Sequence, residues 1–85
     1  MITNNTSQNR YELSVDGHLA VADYVLEGTS LTINHVFVPQ ELRGKGVAAQ
    51  VMEGVVADAK EQGLTIIPVC SYAESYMKRY SASSQ

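Results

Sequence analysis

From Arg10 the chain alternates. Tyr11, Leu13 and Val15 are apolar, and Glu12, Ser14 and Asp16 between and after them are polar, the period-two pattern of a strand with one buried face. Asp16-Gly17 is a hairpin signal, because the favoured two-residue turn needs a positive φ at both positions. A return strand is expected from about His18 to Leu26, a second turn over Glu27-Gly28-Thr29-Ser30, and a third strand from about Leu31 to Val38. On that third strand Leu31, Ile33, His35 and Phe37 share one face, so His35 is expected among core residues. Three strands joined by short turns form an antiparallel meander.

Beyond residue 45 the period changes. Val47, Ala48, Val51, Met52, Val55, Val56 and Ala59 recur at three- and four-residue spacing, with Gln50, Glu53, Asp58, Lys60 and Glu61 on the opposite face. This predicts an amphipathic helix from about Gly46 to Gln62, stopped by Gly63. Gly54 sits inside it at a cost of about 1 kcal/mol against alanine, which suggests a close-packing point. Leu64 to Val69 reads as a fourth strand, parallel to the third through a βαβ crossover. Pro68 cannot donate to a ladder, so it belongs at an edge or where the sheet opens. Ser71-Tyr72-Ala73-Glu74 matches a capping box ahead of a short helix over about 72–80. The polar stretches 1–8 and 81–85 are expected to be loose termini around one domain at 9–80.

Composition narrows the classes. Eighty-five residues make one small domain, and 45% hydrophobic content suits a globular core. No run reaches the roughly 18 apolar residues of a membrane span, and the first residues lack a signal-peptide pattern. The single cysteine, Cys70, excludes an internal disulfide and a multi-thiolate metal site, and a cytoplasmic setting is the expectation. A net charge of −3 argues against general nucleic-acid binding. Two of the six basic residues, Arg43 and Lys45, flank the glycine at position 44.

That concentration marks the candidate site. Arg43-Gly44-Lys45-Gly46-Val47-Ala48 joins a strand to a helix, the arrangement that aims free backbone amides at a phosphate. A Walker A loop is excluded, since Lys45 precedes Gly46 rather than Ser or Thr. Gly44, Gly46 and Ala49 match a dinucleotide fingerprint literally, but the following strand offers no acidic residue for a ribose. The third option is an acetyl-CoA loop. Glu41-Leu42-Arg43-Gly44-Lys45-Gly46 resembles the Gln/Arg-x-x-Gly-x-Gly/Ala motif of the GNAT acyltransferases, departing at its first position. Together with His35-Val36-Phe37-Val38-Pro39 and Pro68-Val69-Cys70-Ser71-Tyr72, it makes residues 10–80 similar to the short, single-domain GCN5-related (GNAT-like) N-acetyltransferases.

The resemblance implies an α/β, GNAT-like mixed sheet. An antiparallel three-strand meander is followed by a βαβ crossover whose parallel strands splay apart, and by a short C-terminal helix. Pro68 fits that opening if its missing N–H faces the gap. The resemblance also implies acetyl-CoA as cofactor: Phe37 and Val38 would hold pantetheine, and Arg43, Gly44, Lys45, Gly46, Val47 and Ala48 the pyrophosphate. Cys70, before a helix N-terminus, is either an activated thiol or a small core hydrophobe. His35 is a candidate base or a structural histidine. Tyr72 and Tyr76, in a stripe with Tyr80, are candidate acids for the leaving thiolate or packing residues. His18 follows a turn and is expected simply to be exposed. Asp16-Gly17 leaves no room for the helices that wall the acceptor site in larger relatives. The acceptor side is therefore expected to be open, which suggests a protein or peptide amine, a site completed by a partner or by a second subunit as in a homodimer, or weak catalysis. The expected function is acetyl transfer from acetyl-CoA to an amine. The alternatives are a CoA or acyl-CoA binding module with little turnover, and a small interaction protein with a decayed phosphate loop.

Overall fold

The computed structural model describes residues 2–83. Strands β1 (Ile2–Asn5), β2 (Arg10–Val15), β3 (His18–Glu27), β4 (Ser30–Phe37) and β5 (Thr65–Pro68) form one sheet in sequence order. β1 to β4 are antiparallel, and β5 runs parallel to β4. Helix α1 (Val47–Gln62) makes the crossover and α2 (Ser71–Ser83) follows β5. Asp16 (φ 51) and Gly17 (φ 78) close the β2–β3 hairpin with the two left-handed residues its turn needs. Gly63 ends α1 at φ 70, its amide meeting the carbonyls of Ala59 and Lys60.

Both helices pack on one face of the sheet. Tyr11, Leu13, Ala20, Ala22, Tyr24, Leu31 and Ile33 from the strands meet Val47, Val51, Met52, Val55 and Ala59 of α1 and Ala73 of α2 in a single buried cluster. No helix among the described residues covers the other face, where Val25, Phe37 and Ile67 stay exposed. No described helix is long and apolar enough to cross a membrane.

The structure corrects several expectations. The N-terminus is not loose: Ile2–Asn5 pairs with β2, so the meander has four antiparallel strands rather than three. At the other end, expected to be loose over 81–85, α2 continues to Ser83; Ser84 and Gln85 lie outside the described residues. The N-terminal strand accounts for Gly54. A Cβ built there would lie 2.5 Å from Ile2 Cγ2 and 2.9 Å from Ile2 Cβ, so the glycine is what lets β1 and α1 meet. Cys70, not Ser71, caps α2, since its carbonyl accepts the Glu74 amide at 2.9 Å. Ser71 already lies within the first turn, so the capping box is not formed.

The largest correction concerns β4. Tyr24 faces Ile33 and Asp23 faces His35, so Asn34 is an extra residue, a β-bulge. One inserted residue reverses the alternation beyond it. Val36 now turns toward the helices, while His35 and Phe37 stand exposed on the open face, stacked at a 6.4 Å centroid distance. His35 is therefore not a core residue.

One hydrogen bond mounts α1 on the sheet, and a tyrosine pair within the sheet supports it. The Tyr11 hydroxyl donates to Asp58 Oδ2 at 2.6 Å, and its ring lies 5.1 Å from that of Tyr24, whose own hydroxyl donates to Asn4. Burial first, then the Asp58 carboxylate, push the Tyr11 phenol well above its ordinary pKa. Above pH ~10 an unfolded chain ionises this phenol while the folded chain resists, so stability falls as pH rises. Tyr11→Phe is expected to cost about 1–2 kcal/mol in urea unfolding at neutral pH and to flatten the loss of stability above pH ~10. Gly54→Ala gains about 1 kcal/mol of helix propensity yet should destabilise net by about 1–2 kcal/mol, because Ile2 is in the way. In an Ile2→Ala background, which removes the 2.5 Å contact but keeps the one at 2.9 Å, the same substitution should cost less, a coupling that a double-mutant cycle reads directly.

Candidate functional site

The parting of β4 from β5 builds the site. Pairing runs from Ser30–Thr65 to Ile33–Pro68 and then stops. The Ile33 carbonyl takes both the Val69 and the Cys70 amides at 3.1 Å, so the ladder ends on a shared acceptor. Beyond it, β4 continues through Phe37 paired only with β3. The crevice opens at the carboxyl ends of the two parallel strands, where sheets of this kind hold ligands. Pro68 sits differently from expectation. Thr65 and Val69 direct their amides at β4, and alternation turns position 68 outward. Its missing N–H therefore lies on the outer edge of the sheet, not in the gap, and leaves that edge with one donor fewer.

The loop after β4 shapes the mouth of the crevice. Pro39 leads a 3₁₀ turn over Gln40–Leu42, whose Leu42 is buried and anchors the loop to the core. Gly44 (φ 81) and Gly46 (φ 73) then take left-handed conformations, and nothing lies within 4 Å of where a Cβ would stand on either. Gly46 is the N-cap of α1, so no side chain caps the helix, and its first turn holds no acidic residue. The first amides of α1 thus keep the partial positive charge of an uncapped N-terminus. Arg43 folds back, its Nε donating to the Val38 carbonyl at 3.3 Å.

Around this terminus lies a pocket of about 280 Å³. Its walls are Val38, Leu42, Val47 and Tyr72, and its rim is Arg43, Gly44, Gly46, Ala48 and Ala49. Six of the eight residues expected to hold a cofactor are brought together here. Phe37 and Lys45 are not: the Phe37 ring faces the open side of the sheet, and Lys45 Nζ lies 4.0 Å from Asp16 on the β2–β3 hairpin. His18 of the same hairpin lies 3.9 Å from Glu41 with its ring partly exposed, so the turn approaches the loop after β4 at two points.

The expected catalytic residues are dispersed. Tyr72 lines the pocket, and Cys70, half-buried, sits where β5 leaves β4. Tyr76 instead faces a second groove between the helices with Glu53 and Lys60; burial first, and then Glu53, raise its pKa. The rings of Tyr72, Tyr76 and Tyr80 follow one another at 6.4 Å centroid spacing along α2. His35 lies on the opposite face of the sheet from the pocket, beside the unpaired stretch of β4. Leu42 and Ala49 were not foreseen. An apolar residue inside an otherwise polar loop was the available signal for Leu42. Among the described residues no cluster of His, Cys, Asp and Glu could hold a metal ion.

A family model described as GCN5-related N-acetyl-transferase matches residues 10–85. The structure is similar to the NMR solution structure of a GCN5-like protein from Staphylococcus aureus, with a TM-score of 0.74 and 28% identity over 96% of this chain and 81% of that one. No curated protein matches the chain significantly.

Proposed function

The chain belongs to the GCN5-related N-acetyltransferase family, and from that premise we propose that it binds acetyl-CoA at the α1 N-terminus and transfers the acetyl group to an amine. The observation that carries this reading is an uncapped helix N-terminus, preceded by two left-handed glycines and opening onto an apolar-walled pocket beside the parted strands. Pyrophosphate fits the amides of residues 46–48, with Arg43 and Lys45 adding positive charge. Lys45 leaves Asp16 to do so, at little cost, because both groups are exposed. Pantetheine suits the apolar walls of Val38, Leu42 and Tyr72 and the free backbone edge of β4 beyond Ile33.

Bound there, acetyl-CoA supplies an activated acyl group as a thioester. The residues have three tasks. Unpaired amides of β4 near the bulge can donate to the carbonyl oxygen as charge develops on it. His35, exposed beside the same stretch, can accept the proton that the attacking amine gives up. Tyr72, on the pocket wall, is better placed than Tyr76 to protonate the departing thiolate. Cys70 stands at the crevice with its amide tied to Ile33, and the direct route to the amine needs no bond to its sulfur.

Gly46→Asp places a carboxylate and a strained φ where the phosphates sit, and calorimetric titration should show CoA affinity reduced by at least about a hundredfold. Wild-type affinity in that variant would overturn the assignment. With Cys70→Ala, thiol release from acetyl-CoA in the presence of an amine should stay within about threefold of wild type, a change of under ~1 kcal/mol in the barrier. Loss of transfer with CoA binding intact would instead require an acetyl-cysteine step.

A further inference from the structure

The open face of the sheet carries a row of charge between two apolar rows. Cross-strand register places Val21 beside Phe37, Asp23 beside His35, and Val25 beside Thr32, which pairs in turn with Ile67. Along β3, Val21, Asp23 and Val25 follow at the two-residue spacing of about 6.8 Å. Val25, Phe37 and Ile67 are each more than two-fifths exposed.

Asp23 is the unusual member. Arg10 is its register partner on β2, yet the Arg10 guanidinium turns along its own strand to Glu12 at 2.6 Å. Asn5 also donates to Glu12, at 3.0 Å, and Arg10, then Asn5, hold the Glu12 carboxyl below its ordinary range. The Arg10 guanidinium, the basic group nearest Asp23 in the register, is thereby spent on Glu12. The Asp23 side chain has no hydrogen bond or ion pair among the described residues, and that of Glu27 at the end of the same strand has none either. The basic groups Arg43 and Lys45 lie in the glycine loop instead. The face bordering the crevice is thus left with uncompensated negative charge, set between exposed apolar side chains.

We infer that this face docks an extended peptide that presents a lysine side chain, with the ammonium captured by Asp23 and apolar residues two positions to either side seated on Val21–Phe37 and Val25–Ile67. The inference rests on the acetyl-transfer reading above and names its acceptor. Alternate side chains of an extended segment repeat at the same spacing as the three rows, so an apolar–x–Lys–x–apolar segment matches them in register. Asp23 stands one strand, about 5 Å, inside the edge of β4 that faces the crevice. Four methylenes let a lysine held near Asp23 swing its nitrogen past His35 to the opening. Asp23 is a positioning residue, which collects and orients the amine and takes no proton from it.

The test is direct binding, independent of turnover. A fluorescent Leu-x-Lys-x-Leu peptide is titrated with the full chain and read by anisotropy. Removing the ion pair, through its anion as Asp23→Asn in the protein or through its cation as acetyl-lysine in the peptide, should weaken binding about fivefold, and the difference should vanish in about 0.5 M salt. Val25→Ser should weaken the leucine-flanked peptide but not one with serine at both flanks. CoA affinity, measured alongside, should be unchanged in both variants. The inference fails if Asp23→Asn or the acetyl-lysine peptide binds as tightly as the parent pair, if wild type does not bind the peptide, or if a free alkyl diamine competes as well as the peptide does. Loss of CoA binding or of acetyl transfer with peptide binding intact counts against the proposed function and leaves the docking face standing.

Discussion

The Ile33 carbonyl is where this sheet stops being continuous. Two amides from the far side, those of Val69 and Cys70, converge on it, and no further bond joins β4 to β5. At the next residue, Asn34, β4 gains its extra position against β3. A ladder that ends on one side and a bulge that begins on the other leave a stretch of β4 held by β3 alone. Backbone groups in that stretch are available to a ligand because the fold has no partner for them. The crevice, the exposure of His35 and Phe37, and the inward turn of Val36 all follow from this single irregularity.

The second requirement is that α1 aim its N-terminus at the crevice. Tyr11 holds the C-terminal half of the helix through Asp58, Gly54 lets it settle against Ile2, and buried Leu42 fixes the loop that leads into it. The helix carries no side-chain cap, a defect in isolation but a gain where an anion is to be bound. Contacts far from the pocket thus fix the direction of the helix, and on the proposed function a helix displaced by an ångström would miss the phosphates as surely as one lacking its glycines.

The two sides of the sheet divide the electrostatics. The helix-covered side ends in a glycine loop with Arg43 and Lys45, suited to an anionic coenzyme. The bare side leaves Asp23 and Glu27 uncompensated, suited to a cationic amine. On the proposed function, reactants of opposite charge would approach the same opening from opposite faces without competing for one surface. The two-residue Asp16-Gly17 turn adds no structure over the bare face. That turn also approaches the loop after β4 through Asp16 and His18, so it supports one half of the site by its contacts and the other by its brevity.

Local pattern was enough to read β2, β3, β4, both helices, the parallel β5 and the glycine loop, because each is written in a run of neighbours: alternation, 3.6-residue spacing, Asp-Gly, Gly-x-Gly. It also marked Gly54 as a packing point. It could not say against what, since Ile2-Thr3-Asn4-Asn5 has no strand pattern of its own and becomes a strand only by pairing with β2. The same limit misplaced His35. A period-two reading assumes an unbroken ladder, and the bulge at Asn34 exists only in the pairing of β4 with β3. Pro68 was rightly read as disruptive, but which way its nitrogen points depends on the register with β4. Composition and motif determine which residues can meet a phosphate and which elements carry them. Register between distant strands decides which face each side chain occupies, because a step of one residue reverses the face, and no local run of sequence records that step.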